Sequence, residues 1–326
     1  SEFRGAKGPM SLSRGTLQNP LFNAWLSGAA QAGHPVTEDF NGASQEGAGA
    51  FDRTIHAGAR QSVARAYLHP VLARKNLAVM TRTLVNRIVF DHGRAIAVEC
   101  QVGRKNKTLR ANKEIIICGG AINSPQLLML SGVGEAQALA QVAIDTVVDL
   151  PGVGKNLMDH LEVYLQFACL KPVSIYPATR WFNQPFVGLQ WYLARQGPGA
   201  NNHFETGAFL RSSDEVSYPD LQFHFLPIAM DYDGKNQYPG HGFQAHVGPM
   251  KPTSRGDVSL RSSNPAERPR IRFNYNASAE DRAVMRSGIR KAREIVAQAA
   301  FDDYRGVELR PGVDVESDAA LDEFVR

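Results

Sequence analysis

Cysteine is scarce in this sequence: Cys100, Cys118 and Cys169 are the three in 326 residues. Their odd number and wide spacing argue against a disulfide framework and against a Cys-rich zinc site, so no metal is expected and a reducing, cytoplasmic setting fits best. No run approaches the roughly 18 consecutive apolar residues that a membrane span requires. Blocks of like charge are missing as well. Lys and Arg number 36 against 32 Asp and Glu, a formal +4 spread along the chain, which gives no indication of a nucleic-acid partner. Internal repeats and low-complexity tracts are absent. So is a complete G-x-G-x-x-G: the G-x-G fragments starting at 47, 132, 152, 197 and 240 all lack the third glycine, leaving no primary dinucleotide fingerprint. What remains, 43% hydrophobic and 21% charged, is an ordinary globular composition long enough for one large domain or two smaller ones.

The ends carry their own signals. Ser1-Glu2-Phe3 reads as a cloning remnant, with neither initiator methionine nor signal peptide. Ser317 and Asp318 predict a helix N-cap, with Leu321, Phe324 and Val325 on one stripe behind it. The sequence then stops at Arg326 without Gly, Asn or Pro to end that helix. The expectation is an internal piece of a longer protein.

Between the ends the pattern is mixed α and β. Asn19-Pro20 predicts a helix start, followed by Leu21, Phe22, Trp25, Leu26 and Ala29 at helical spacing. Residues 33–60 are Gly-rich and read as a long loop. Leu77–Met80, Val85–Phe90 and Ala95–Val102 are β-rich runs, the last two joined by an Asp91-His92-Gly93 turn. Ile115–Cys118 has the unalternated apolar character of a strand buried on both faces. Gly119-Gly120 breaks it, and Asn123-Ser124-Pro125 predicts a helix start. Residues 161–168, 220–226, 243–247 and 257–261 alternate, as in a half-exposed antiparallel sheet. Residues 280–300 form the clearest helix, with Met285, Ile289, Ala292, Ile295 and Val296 inward.

Three places invite chemistry. The strand–Gly-Gly–helix element at 114–131 allows close backbone approach and presents a helix N-terminus, but a turn required only by packing has the same pattern. On 159–166, alternation sets His160, Glu162, Tyr164 and Gln166 on one face. That face fits either a pocket for a cation or the wet side of a sheet. His224 lies beside Gln222, opposite Phe223 and Phe225, as a structural or a functional histidine. In His203-Phe204-Glu205, alternation sends Phe204 away from its neighbours. No Ser-His-Asp triad or metal cluster has its partner spacing.

The segment Cys118-Gly119-Gly120-Ala121-Ile122-Asn123-Ser124-Pro125-Gln126-Leu127-Leu128, continuing to Ser131-Gly132-Val133-Gly134, resembles the second signature of the glucose–methanol–choline (GMC) oxidoreductases. Leu150-Pro151-Gly152-Val153-Gly154-Lys155-Asn156-Leu157-Met158-Asp159-His160 resembles the next block of that family. Ser254-Arg255-Gly256-Asp257-Val258 and Asn274-Tyr275 resemble two more, in order. Ser174–Ala178, Trp181–Pro185, Asn202–Glu205 and Tyr304–Gly306 are most similar to its choline-oxidising members, as are Asn41-Gly42 and Gln45-Glu46-Gly47.

The resemblance implies an α+β chain: an antiparallel-sheet substrate domain with helices, plus the middle of a two-domain FAD-binding fold whose primary βαβ unit is absent. Residues 51–161 would be the central part of the flavin domain, and 10–50 with 162–326 the substrate domain. It implies oxidation of choline to betaine aldehyde by hydride transfer to FAD in the full-length protein, a step of glycine betaine synthesis and osmoprotection. The isolated chain is expected to lack bound FAD, a principal catalytic base and activity. Val85, Gly119, Gly120 and Ala121 match cofactor-binding positions. Glu162 matches the acid facing the substrate's trimethylammonium group, Phe204 an aromatic cage position, and His224 an assisting catalytic histidine. Alternatives are another primary alcohol as substrate, or a non-catalytic ligand-binding piece. Self-association through unpaired sheet edges and attachment at the face of an inner membrane complete the expectations.

Overall fold

Alternation of apolar and polar residues determines the largest sheet of the chain. The computed structural model describes residues 2–231, 234 and 237–326. Its six-stranded antiparallel sheet runs in the order Arg305–Arg310, Val163–Cys169, Gly242–Pro249, Leu221–Leu226, Thr206–Leu210 and Gly47–Ala50. The register sets Leu165 opposite Ala245, and Phe225 opposite both Ala245 and Thr206. Side chains of one parity, including Leu165, Phe223, Phe225, Phe243 and Val247, therefore enter a single core.

Two helices cover that face. Pro20–Gln31 begins as its sequence predicts, with Asn19 Oδ1 accepting from Leu21 N at 3.0 Å and Pro20 in the first turn. Trp25 stacks on Phe225 with centroids 5.1 Å apart and donates from Nε1 to Gly207 O at 3.2 Å. Ala279–Val296 adds Met285, Ile289, Ala292 and Ile295, all buried. Arg286, Arg290 and Arg293 on its other side pair with Asp322, Asp318 and Glu308. These pairs tie the helix to Asp318–Val325, itself capped by Ser317 Oγ, and to the 305–310 strand.

Packing divides the chain into two compact units. One comprises Ser1–Arg74, His160–Lys251 and Ala279–Arg326, and the other Lys75–Asp159 and Pro252–Ser278. These differ from the expected segments at three places: residues 51–74 and 160–161 pack with the large sheet, and 252–278 pack with 75–159. The smaller unit holds a meander of Thr83–Asp91, Arg94–Val102 and Lys105–Arg110, with His92 and Gly93 at φ 46° and 76° in its first turn. It also holds a three-stranded sheet of Lys155–Leu157, Gly256–Ser259 and Arg270–Arg272, and the helix Gly120–Leu130.

Four local expectations are corrected. Leu77–Met80 is not a strand, and the third strand of the meander is Lys105–Arg110, whose side chains are all exposed and carry no apolar signal. Ile115–Cys118 forms no strand and pairs with none among the described residues, and Ile116 is 74% exposed. The helix after it starts at Gly120, with Pro125 inside it rather than at its start. Within the Gly-rich 33–60 stretch, Gly47–Ala50 is an edge strand of the main sheet, paired with Thr206–Leu210, and Gly49 lets Thr37 and Phe40 pack against it, since a Cβ there would meet the Thr37 carbonyl at 2.6 Å and the Phe40 ring at 3.0 Å.

The fold is α+β. All three cysteines are free thiols, and no described helix is long and apolar enough to cross a membrane. Phe225 is fully buried against Phe22, Trp25, Phe243 and Phe301. Phe225→Ala should cost about 3–5 kcal/mol in denaturant unfolding. A loss below about 1 kcal/mol would show that this aromatic seam does not hold the helices to the sheet.

Candidate active site

The parity that sends phenylalanines into the core sends a different set to the opposite face. There the register places His246 between Tyr164 on one neighbouring strand and His224 on the other, and Gln166 opposite Gln244. The strand itself begins at Val163, so Glu162 stands at its mouth while His160 lies outside it, exposed. Opposite Glu162 is Gly248. A Cβ there would run into the Leu161 carbonyl and lie 3.2 Å from both Cα and Cβ of Glu162. The missing side chain is what admits the glutamate.

Glu162 is held between two imidazoles. Its Oε1 lies 3.0 Å from His246 Nδ1 and its Oε2 3.5 Å from His224 Nδ1. The histidines differ in access: the His246 side chain is 4% exposed and that of His224 31%, against 32% for Glu162. Gln222 Nε2 reaches His224 Nε2 at 3.1 Å, and Gln244 Nε2 reaches His246 Nε2 at 2.7 Å.

Aromatic rings surround this cluster. Phe204 packs edge-on to His224 and His246 at 5.9 and 5.8 Å, Phe51 lies 5.5 Å from His224, and Tyr164 lies 5.4 Å from His246. Phe204 thus departs from its neighbours as alternation predicts. Glu205 turns the other way into a buried pair with Arg53 at 3.0 Å, and burial holds the His203 imidazole below its ordinary range. A partly exposed carboxylate whose two histidine partners are packed by aromatic rings suits a cation that offers no hydrogen-bond donor. An imidazole beside it suits a polarised hydroxyl.

Glu162, His224 and Phe204, expected to act together, are therefore brought together. His246, Gln244, Phe51 and Gly248 were not singled out in the sequence. The alternation of 243–247 already places 244 and 246 on the face of Gln222 and His224, so that signal was available. For Phe51 no periodic signal exists.

The expected cofactor positions lie in the smaller unit. Val85, on the edge strand of its meander, lines a cleft of about 980 Å³ together with Ile115, Ile117, Gly119, Leu127 and Leu130. Gly120 and Ala121 do not line it; they form the exposed first turn of the adjacent helix. Within the same unit the sequence blocks are joined to one another. Val258 N donates to Gly154 O at 2.7 Å, Asn274 Nδ2 donates to Arg255 O at 3.0 Å, and Tyr275 Oη donates to Asp159 Oδ2 at 2.5 Å. No cluster suited to a metal ion occurs among the described residues.

Sequence models of the amino- and carboxy-terminal parts of GMC oxidoreductases match residues 2–162 and 252–326. The chain belongs to the GMC oxidoreductase family. Among curated relatives, the oxygen-dependent choline dehydrogenase of Brucella ovis is 50% identical over 99% of this chain and 59% of its own length. That of Pectobacterium atrosepticum is 49% identical over 100% of this chain and 59% of its own. This GMC chain thus spans about three-fifths of the relatives it matches. Among solved structures it resembles pyridoxine 4-oxidase from Mesorbium loti, with TM-score 0.85, 26% identity, and coverage of 99% of this chain and 60% of that one. The likeness to Aspergillus oryzae formate oxidase, with TM-score 0.89 and 23% identity over 98% of this chain and 61% of that one, is one of fold.

The Tyr275–Asp159 contact joins two of the family's blocks and gives a pH signature. Burial, and then the hydrogen bond to Asp159, push the phenol up to about 12. Because this pKa is raised on folding, its contribution to stability is complete below about 10 and is lost as pH rises through 12. Ultraviolet titration should show a late tyrosine step that Tyr275→Phe removes, and Asp159→Asn should bring that step down. A Tyr275 step unmoved by Asp159→Asn would contradict the contact.

Proposed function

We propose that this chain carries the substrate-recognition face, and part of the flavin site, of an FAD-dependent alcohol oxidoreductase that oxidises choline to betaine aldehyde. One observation carries the reading: the Glu162 carboxylate is anchored between His224 and His246 yet remains one-third exposed, and the Phe204, Phe51 and Tyr164 rings pack on those two histidines. A trimethylammonium group makes no hydrogen bonds and is recognised by charge and by aromatic faces. The 50% identity to choline dehydrogenases over 99% of this chain points to the same substrate.

The residues of the smaller unit fit one part of a flavin dinucleotide. Val85 and the Gly119 backbone border a large apolar cleft, and the N-terminal turn of Gly120–Leu130 stands at its edge. Val85 and Gly119 would hold the cofactor there, and Gly120 with Ala121 would bring the helix end to it. FAD, when bound, supplies the hydride acceptor for the alcohol carbon. In this reading the smaller unit is the flavin part and the large sheet the substrate part.

The chain's own residues supply recognition and orientation. Glu162 fixes the onium end, which directs the hydroxyl end along the polar face. His224, the more exposed of the two histidines, would hydrogen-bond the alcohol oxygen and steady the alkoxide that develops as its proton passes to a base of the full-length enzyme. Phe204 and Phe51 cover part of His224, and water displaced from its exposed side on substrate binding would strengthen the ionic contact. The three free thiols suit a reducing, cytoplasmic setting.

Glu162→Gln keeps the shape and removes the charge. An ion pair at an effective dielectric near 20 is worth on the order of 1–4 kcal/mol. In the full-length enzyme, the preference in kcat/KM for choline over its neutral isostere 3,3-dimethylbutan-1-ol should therefore fall about tenfold or more. An equal loss for the two alcohols would reject the cation-binding role.

A further inference from the structure

We infer that His246 is the positioning residue for the Glu162 carboxylate, held in its Nδ1–H tautomer by a directed hydrogen-bond chain running from the Met230 peptide through Gln166 and Gln244. The functional part of this inference rests on the reading of Glu162 as the cation's counter-charge. The tautomer itself does not.

The direction of the chain follows from which groups can only donate. Met230 N donates to Gln244 Oε1 at 2.9 Å, and Gln166 Nε2 donates to the same oxygen at 3.0 Å. Gln166 is oriented in turn by a second donation from Nε2, to Met230 O at 3.0 Å. Two N–H groups converging on one atom settle which end of the Gln244 amide is oxygen. Its other end is therefore Nε2, an obligate donor, and 2.7 Å beyond it stands His246 Nε2. That ring nitrogen must present its lone pair, so the ring proton is on Nδ1, where it is donated to Glu162 Oε1 at 3.0 Å.

Burial makes the arrangement costly to reverse. Gln244 is 2% exposed and His246 3%. The opposite tautomer would set an N–H against the Gln244 amide hydrogens and a lone pair against the carboxylate, with little water to relieve either. The ring plane is fixed by Phe204 on one side and Tyr164 on another. Tyr164 is itself held by its hydroxyl, which donates to Asp231 at 2.9 Å and accepts from Arg310 at 3.1 Å. A neutral donor at this position orients the carboxylate without cancelling its charge. Oε1 is anchored on the buried His246 ring, while Oε2 lies 3.5 Å from Nδ1 of His224, whose side chain is the more exposed of the two. The two histidines thus divide the work: His246 positions the acid, and His224 faces the substrate.

Two measurements test this. Two-bond proton–nitrogen NMR of the histidine-labelled protein, with His246 assigned from its loss in His246→Asn, should show protonated Nδ1 and bare Nε2 on this ring. A proton on Nε2 overturns the inference whatever the substrate is. In the full-length enzyme, His246→Leu removes the donor, whereas His246→Asn keeps an N–H at the Nδ1 position. The kcat/KM preference for choline over 3,3-dimethylbutan-1-ol should drop about tenfold in the leucine variant and return to within about threefold of wild type in the asparagine variant. Equal losses in both variants, or an unchanged preference in the leucine variant, would reduce His246 to packing. A failure of the Glu162→Gln experiment with the Nδ1–H tautomer intact would remove the substrate reading and leave the hydrogen-bond chain standing.

Discussion

Strict two-residue alternation across four adjacent strands is the constraint on which the rest of this structure depends. Each strand must bury one parity against the helices Pro20–Gln31 and Ala279–Val296, and the antiparallel registers bring those parities into line. Whatever chemistry the sheet carries then belongs to the other parity. A one-residue slip of the 242–249 strand would drive His246 and Gln244 into the core and bring Ala245 and Val247 out, so the aromatic seam that stabilises the fold also fixes the site's register. Stability and function are written on opposite faces of the same residues.

Glu162 illustrates how such a site is completed at a strand end. It sits one residue before the regular ladder, in space left by Gly248, and is therefore positioned by neighbouring strands rather than by its own. Its two histidine partners come from adjacent strands that pair directly at His224 and His246. The carboxylate is thus held from two sides while about a third of the side chain stays exposed.

Much of this was legible in the sequence because periodicity carries the information. The helices starting at Pro20 and Asp318, the long helix within 280–300 and the strands of the 221–226 and 242–249 pair all follow from spacing and capping residues. Gly47–Ala50 escaped because glycine and alanine show no alternation, and Lys105–Arg110 because an exposed polar strand looks like a loop. Ile115–Cys118 erred the other way. Its apolar run has the composition of a central strand, but a strand needs at least one hydrogen-bonded neighbour, and none is present among the described residues. At the site, Glu162, His224 and Phe204 were found through family motifs. For His246 and Gln244 the alternation of 243–247 gave the face, but their hydrogen-bond chain runs between strands and leaves no mark on either one alone. The sequence blocks shared with other GMC oxidoreductases turn out in part to be joints: Gly154 with Val258, Arg255 with Asn274, and Asp159 with Tyr275.

The central claim is that Glu162 faces a quaternary ammonium group. A crystal structure of the full-length enzyme with glycine betaine, which keeps the trimethylammonium group and has no alcohol to oxidise, tests it most directly. The account predicts the quaternary nitrogen within roughly 6 Å of both the Glu162 carboxylate and the Phe204 ring, with Glu162 still on His246. A betaine bound elsewhere, with Glu162 facing only water, would contradict it.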